Sequence, residues 1–236
     1  MIPIRDTAPC NTRPIVTWSI MAICSLIFVT MWFAPDNMSY RWIHQFGMVP
    51  IRYSNPRWAH DFGLPTDYGF SFISNLFLHG DWMHLITNMW FLAIFGDNIE
   101  DKMGHWRFLL YYLCCGALAT FLQWYFDPQI VIPVVGASGA IAGVLAAYFF
   151  LFPMEKVVLW IPFIFPILIP VPAIAFLGAW VLFQLHDATT AVFITHQGAS
   201  VAWWAHLGGF IAGYFIHSFF LLDEETIEEP FSSDLN

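Results

Sequence analysis

Long apolar runs constrain this chain more than any other feature. The first, Ile15 to Phe33, is of membrane-spanning length and carries no charge. A bilayer core takes roughly 20 apolar residues per helix. Lipid offers no water to backbone N–H and C=O groups, so a spanning segment must satisfy them internally, as a helix does. Further runs near 83–99, 108–125, 135–152, 168–185 and 203–222 bring the expected spans to six. Only 11% of the residues are charged, against about a quarter in soluble domains. The expected fold is therefore an all-α integral membrane bundle over 15–222. A cytoplasmic segment 1–14 precedes it and a solvated acidic tail 223–236 follows. The first run lacks a small-x-small cleavage site and is read as a retained anchor.

The net charge of -9 comes largely from that tail, which holds Asp223, Glu224, Glu225, Glu228, Glu229 and Asp234. Lys and Arg total 8 and form no patch, so nucleic acid is not an expected partner. Cys10, Cys24, Cys114 and Cys115 show neither metal spacing nor a disulfide framework. With the N-terminus inside, Arg5, Arg13, Lys102, Arg107 and Lys156 fall on the inner side. Arg41, Arg52 and Arg57 fall outside, in the first connection. That bias favours a cytoplasmic N-terminus; the expected location is the cell's inner (plasma) membrane. The first connection, 35–80, is rich in aromatic residues and is expected to be ordered at the interface. Pro162, Pro166, Pro170 and Pro172 crowd the fifth span, so Trp160 to Pro172 is expected to be irregular, and 187–201 mobile.

Polar residues inside such spans are expensive and mark function. Ser138 opens the fourth span, His206 the sixth, and His79, His84 and Asn88 the second. Even-numbered spans run the same way, so the three clusters lie at one face, extracytoplasmic under this orientation. A serine hydroxyl needs a neighbouring base to become a nucleophile, and a histidine suits that role. Gly139 with Gly143, and Gly209 with Gly213, form small-xxx-small faces beside the two residues, which lets their helices approach. His84 and Asn88, at i and i+4, share a helix face and offer N–H donors to an oxyanion, joined by the Ser138 backbone N–H at a helix start. His79 is placed between that role and a structural one. No carboxylate is positioned to orient His206, so the reading is a dyad. A transporter would need ionisable groups near mid-membrane on several spans. A haem protein ligated by His84 and His206 would carry a Soret band.

The residues His79-Gly80-Asp81-Trp82-Met83-His84 with Asn88, then Gly136-Ala137-Ser138-Gly139, then Ala205-His206 with Gly209 and Gly213, resemble the bacterial rhomboid intramembrane serine proteases. Ile2-Pro3-Ile4-Arg5-Asp6 and Phe95-Gly96-Asp97-Asn98-Ile99-Glu100-Asp101 with Gly104 are also similar to them. The resemblance implies a six-transmembrane-helix rhomboid bundle with a water-filled cavity open to the outer face. It implies Ser138 as nucleophile and His206 as general base, with His84, Asn88 and the Gly136–Ser138 backbone stabilising the oxyanion. It also implies single-span membrane proteins as substrates and no metal or cofactor. The alternative is an inactive rhomboid-like protein that binds membrane clients. Two departures stand out. Ala142 occupies the position where some members stack an aromatic ring on the histidine, and Arg41-Trp42 reverses a Trp-Arg pair.

Overall fold

The computed structural model describes residues 2–64, 67–161, 167–193 and 202–222. The acidic tail 223–236 lies outside them, as do 162–166 and 194–201. In chain order the elements are β1 (Ile2–Arg5), α1 (Ile15–Trp32), α2 (Asp36–Phe46), α3 (Pro50–Ser54), α4 (Pro56–Asp61), α5 (Ser71–Ser74), α6 (Trp82–Met103), α7 (His105–Phe126), α8 (Ser138–Leu151), β2 (Lys156–Ile161), β3 (Ile167–Pro172), α9 (Ala173–Phe193) and α10 (Trp203–Ile216). Each of the six apolar runs contributes a long helix. By length and composition, α1 and α7 are apolar enough to cross a membrane.

The chain is not all-helical. β1, β2 and β3 form an antiparallel sheet in that order, with Val158 opposite Pro170 and Lys156 opposite Pro172. The proline-crowded stretch, expected to be irregular, is thus ordered over 156–161 and 167–172, and the fifth long helix begins only after it, at Ala173. Proline lacks the N–H that a helix interior needs. β-Branched Val157, Val158, Ile161, Ile167, Ile169 and Val171 favour strands. Pro170 and Pro172 sit in β3, an edge strand, where a missing donor costs least; Pro162 and Pro166 lie outside the described residues. The other end of that helix departs from expectation: 187–193, expected to be mobile, is helical.

The core lies where α6, α7, α8 and α10 meet, around fully buried Phe95, Phe108, Tyr111, Tyr112, Leu145 and Tyr148. Two glycine faces close it. A Cβ on Gly209 would overlap the Gly139 carbonyl, and one on Gly213 would lie 2.5 Å from the Gly143 oxygen. Gly139 and Gly143 in turn press on Ala119 and Cys115 of α7. The small-xxx-small faces on α8 and α10 therefore pack backbone against backbone, which larger residues would forbid.

The start of α1 is held by a neighbour. Glu100 of α6, 0% exposed, accepts hydrogen bonds from the Val16 and Thr17 backbone N–H groups at 2.8 and 2.7 Å and contacts His105 Nδ1 at 2.6 Å. The N-terminal segment is tied to the same end, with Asp101 accepting from Asn11 and Thr12 N–H and Asn98 donating to the Ala8 carbonyl. The first connection is ordered as four short helices. Its clasp is Arg52, which donates to Asp67 at 2.8 Å, while Tyr53 donates to the same carboxylate at 2.7 Å.

Candidate active site

The N-termini of α6, α8 and α10 converge at one end of the bundle. Asp81 starts α6 by accepting the His84 N–H at 2.8 Å. Gln123 of α7 starts α10 by accepting the Ala205 N–H at 3.1 Å, and its amide donates to Asp127 at 2.7 Å. No side chain caps α8. Its first residue is Ser138, whose Oγ lies 2.8 Å from His206 Nε2. The structure thus brings these two residues into hydrogen-bond contact across the glycine interface.

The backbone before the serine is shaped by contacts from three sides. Gly136 has φ of 124°, a region that side chains other than glycine's disfavour. A Cβ there would also lie 2.5 Å from His84 Nε2. Its N–H donates to the Asn75 carbonyl at 2.9 Å, and Asn75 is fixed in turn by its amide donating to Thr120 Oγ1 at 3.0 Å. Met48 and Val134 exchange backbone hydrogen bonds of 3.0 and 2.7 Å, joining the first connection to the serine loop. His84 and Asn88 stand beside Gly136 as their spacing requires. Asn88 is buried, and its Nδ2 has no hydrogen-bond partner among the described residues. His79 packs edge-on to His84 with ring centroids 5.2 Å apart. It is 1% exposed, and neither ring nitrogen has a partner among the described residues. His79 thus adjoins the His84 side of the site without touching Ser138.

The contacts that hold His206 were not visible in the chain's motifs. Gln184 of α9 places Oε1 2.7 Å from His206 Nδ1. Trp180, one turn earlier on the same face, lies 6.2 Å from the imidazole between ring centres, and Trp203 stands edge-on at 6.1 Å. These residues surround the histidine where Ala142 offers no ring. A lone Gln inside the apolar run of the fifth helix was the available signal for Gln184, by the rule that marked Ser138 and His206. Gln123 and Asn75, which support the site from behind, carry no such signal. No group of three His, Cys, Asp or Glu residues suited to a metal occurs among the described residues.

A helical bundle with a serine and a histidine paired at its polar end defines a candidate serine hydrolase of a membrane-protein class. Residues 67–223 match the rhomboid domain, and the chain belongs to the rhomboid family, whose members are generally intramembrane serine proteases, some of them inactive. It is 36% identical to Rhomboid protein 1, mitochondrial, of Saccharomyces cerevisiae over 61% of this chain and 39% of the yeast protein. It is 30% identical to Presenilin-associated rhomboid-like protein A, mitochondrial, of Danio rerio over 58% of this chain and 34% of that protein. A rhomboid of Bacillus subtilis is 29% identical over 39% of this chain and 46% of its own length. The matched region thus spans less than half of each of these relatives. They come from mitochondria as well as a bacterium, so the likeness extends to the family and not to a bacterial branch.

Proposed function

We propose that this chain is an intramembrane serine endopeptidase, with Ser138 as nucleophile and His206 as general base. The observation that carries the reading is the 2.8 Å contact between Ser138 Oγ and His206 Nε2. In the first half-reaction Nε2 takes the hydroxyl proton as Oγ bonds to the substrate carbonyl carbon. The imidazolium then returns that proton to the leaving amine nitrogen as the peptide C–N bond breaks. Water, deprotonated by the same nitrogen, releases the acyl group. The developing oxyanion is received by the Ser138 N–H at the uncapped start of α8, and by His84 and Asn88, whose donor nitrogens flank Gly136. An inactive client-binding protein has no need for this pairing.

On this reading the six long helices cross the bilayer, with the N-terminus cytoplasmic and the site open to the extracytoplasmic face. A helix of 14 residues such as α8 or α10 is about 21 Å long, against a hydrocarbon core of about 30 Å. Its start can therefore lie below the surface yet within reach of water. Substrates are single-span membrane proteins whose helices, rich in Gly, Pro or other weak helix formers, unwind at low cost to expose backbone.

The test is covalent labelling of the detergent-purified protein with a fluorophosphonate. Wild type is expected to react, and Ser138→Ala and His206→Ala to remain unlabelled while still folded. An unreactive, folded wild type would instead support the client-binding reading.

A further inference from the structure

Gln184 is a costly residue for its position. It sits between Phe183 and Leu185 on α9 and is only 9% exposed. A buried amide loses several kcal/mol of hydration unless it is hydrogen-bonded. Its Oε1 finds one partner of consequence, His206 Nδ1 at 2.7 Å. The other ring nitrogen of the same histidine meets Ser138.

The order of atoms matters. A neutral imidazole carries one N–H, on either nitrogen. An amide oxygen can only accept, so with Oε1 facing Nδ1 the proton resides on Nδ1. Nε2 is left with its lone pair toward the serine hydroxyl, the tautomer a general base must have. A ring with its proton on Nε2 would donate to Ser138 and could not take the hydroxyl hydrogen. The amide performs this without a charge, which would be expensive to bury here. Orientation of the ring plane is shared with Trp180 and Trp203, but neither offers an acceptor to Nδ1.

We infer that Gln184 is the positioning residue of the dyad, a neutral third member that holds the Nδ1 proton of His206 and aims Nε2 at Ser138. This inference rests on the serine-hydrolase reading above. The chain of contacts crosses three helices, from α9 to α10 to α8. Ser138 and His206 ride on the glycine-locked pair of helices, while Gln184 rides on a helix outside that pair. The base is therefore correctly set only while α9 is docked against α10.

The experiment compares wild type, Gln184→Leu and Gln184→Glu as full chains in detergent, with thermal unfolding as a check on the fold. The readout is the maximal rate of fluorophosphonate labelling and the probe concentration at half-saturation. Leu fills similar space without an acceptor, whereas Glu restores an oxygen facing Nδ1. Gln184→Leu is expected to lose roughly 10–100-fold in maximal rate with half-saturation unchanged, and Gln184→Glu to recover most of that loss. A folded Gln184→Leu protein that labels at the wild-type rate overturns the inference and leaves the hydrolase reading intact. Equal losses in both variants also overturn it, since that pattern marks packing alone. A wild type that does not label overturns both. If Gln184→Leu does not fold, 15N spectra of histidine-labelled wild type, with His206→Ala to assign the signal, decide the matter. Protonated Nδ1 supports the inference, and protonated Nε2 overturns it.

Discussion

Two helix starts in this molecule meet the same physical problem and resolve it differently. The first N–H groups of any helix lack partners within the helix and form a site for negative charge. At the start of α1 a side chain fills the site: the buried Glu100 carboxyl takes the Val16 and Thr17 N–H groups. At the start of α8 no side chain does so, and the first residue is a serine whose hydroxyl points to a base. Glu100 and His84 are sixteen positions apart on α6, about 24 Å along its axis, so one helix serves both sites at opposite ends. A filled helix start is a joint. An unfilled one beside a serine in contact with a histidine is, on the proposed function, the place where a developing negative charge is received.

That contrast is breakable by substitution. The largest expected effect is His206→Ala, which removes the base and lowers peptide-bond cleavage in a single-span reporter by about 10³-fold or more, with the melting temperature within a few degrees of wild type. A comparable loss of melting temperature would make the histidine a packing residue. Glu100→Ala is the mirror experiment. It leaves the Val16 and Thr17 N–H groups without their acceptor and is expected to cost about 2–5 kcal/mol of stability, while the folded fraction keeps its labelling rate. Loss of labelling at unchanged stability would erase the distinction between the two ends.

Gly136→Ala probes the α8 start directly. A Cβ there meets the His84 ring in a backbone conformation unfavourable to alanine. The expected result is a penalty of about 1–3 kcal/mol, together with a maximal labelling rate reduced by roughly tenfold as the oxyanion donors shift. The smallest effect belongs to the clasp of the first connection. Burial alone would raise the Asp67 pKa, but hydrogen bonds from Tyr53 and Ser71, with the Arg52 charge, hold it below the usual carboxylate value. A lowered folded pKa adds stability above the unfolded pKa of about 3.9, and this is lost as pH falls through the folded value. Asp67→Asn should therefore be less stable than wild type by about 1–3 kcal/mol at neutral pH. The gap should narrow in thermal melts as pH drops below about 4. A gap that is constant with pH would mean that the carboxylate's charge plays no part.

Much of this was legible in the residues. Apolar runs marked the long helices because period and length are local properties. The shared face of Ser138, His206, His84 and Asn88 followed from counting helix directions. The glycine faces were visible as spacing, and their backbone-to-backbone packing is what that spacing allows. The sheet was not foreseen. The prolines that argued against a helix over 160–172 do not say that a strand forms there, and β1, which pairs with β2, lies more than 150 residues away in the chain.

The sequence by itself thus determined the class of protein, the helices and which serine and histidine would face each other, because each rests on apolar length, on period or on a residue type that lipid makes costly. Only the tertiary structure decided what orients His206. Gln184 and Trp180 lie on α9, and their meeting with the imidazole depends on how α9 crosses α10. It also decided that Glu100 serves the start of α1 and that Asn75 and Met48 shape the serine loop. Those partnerships join residues that are distant in the chain through side-chain direction and helix crossing, neither of which has a period to be read.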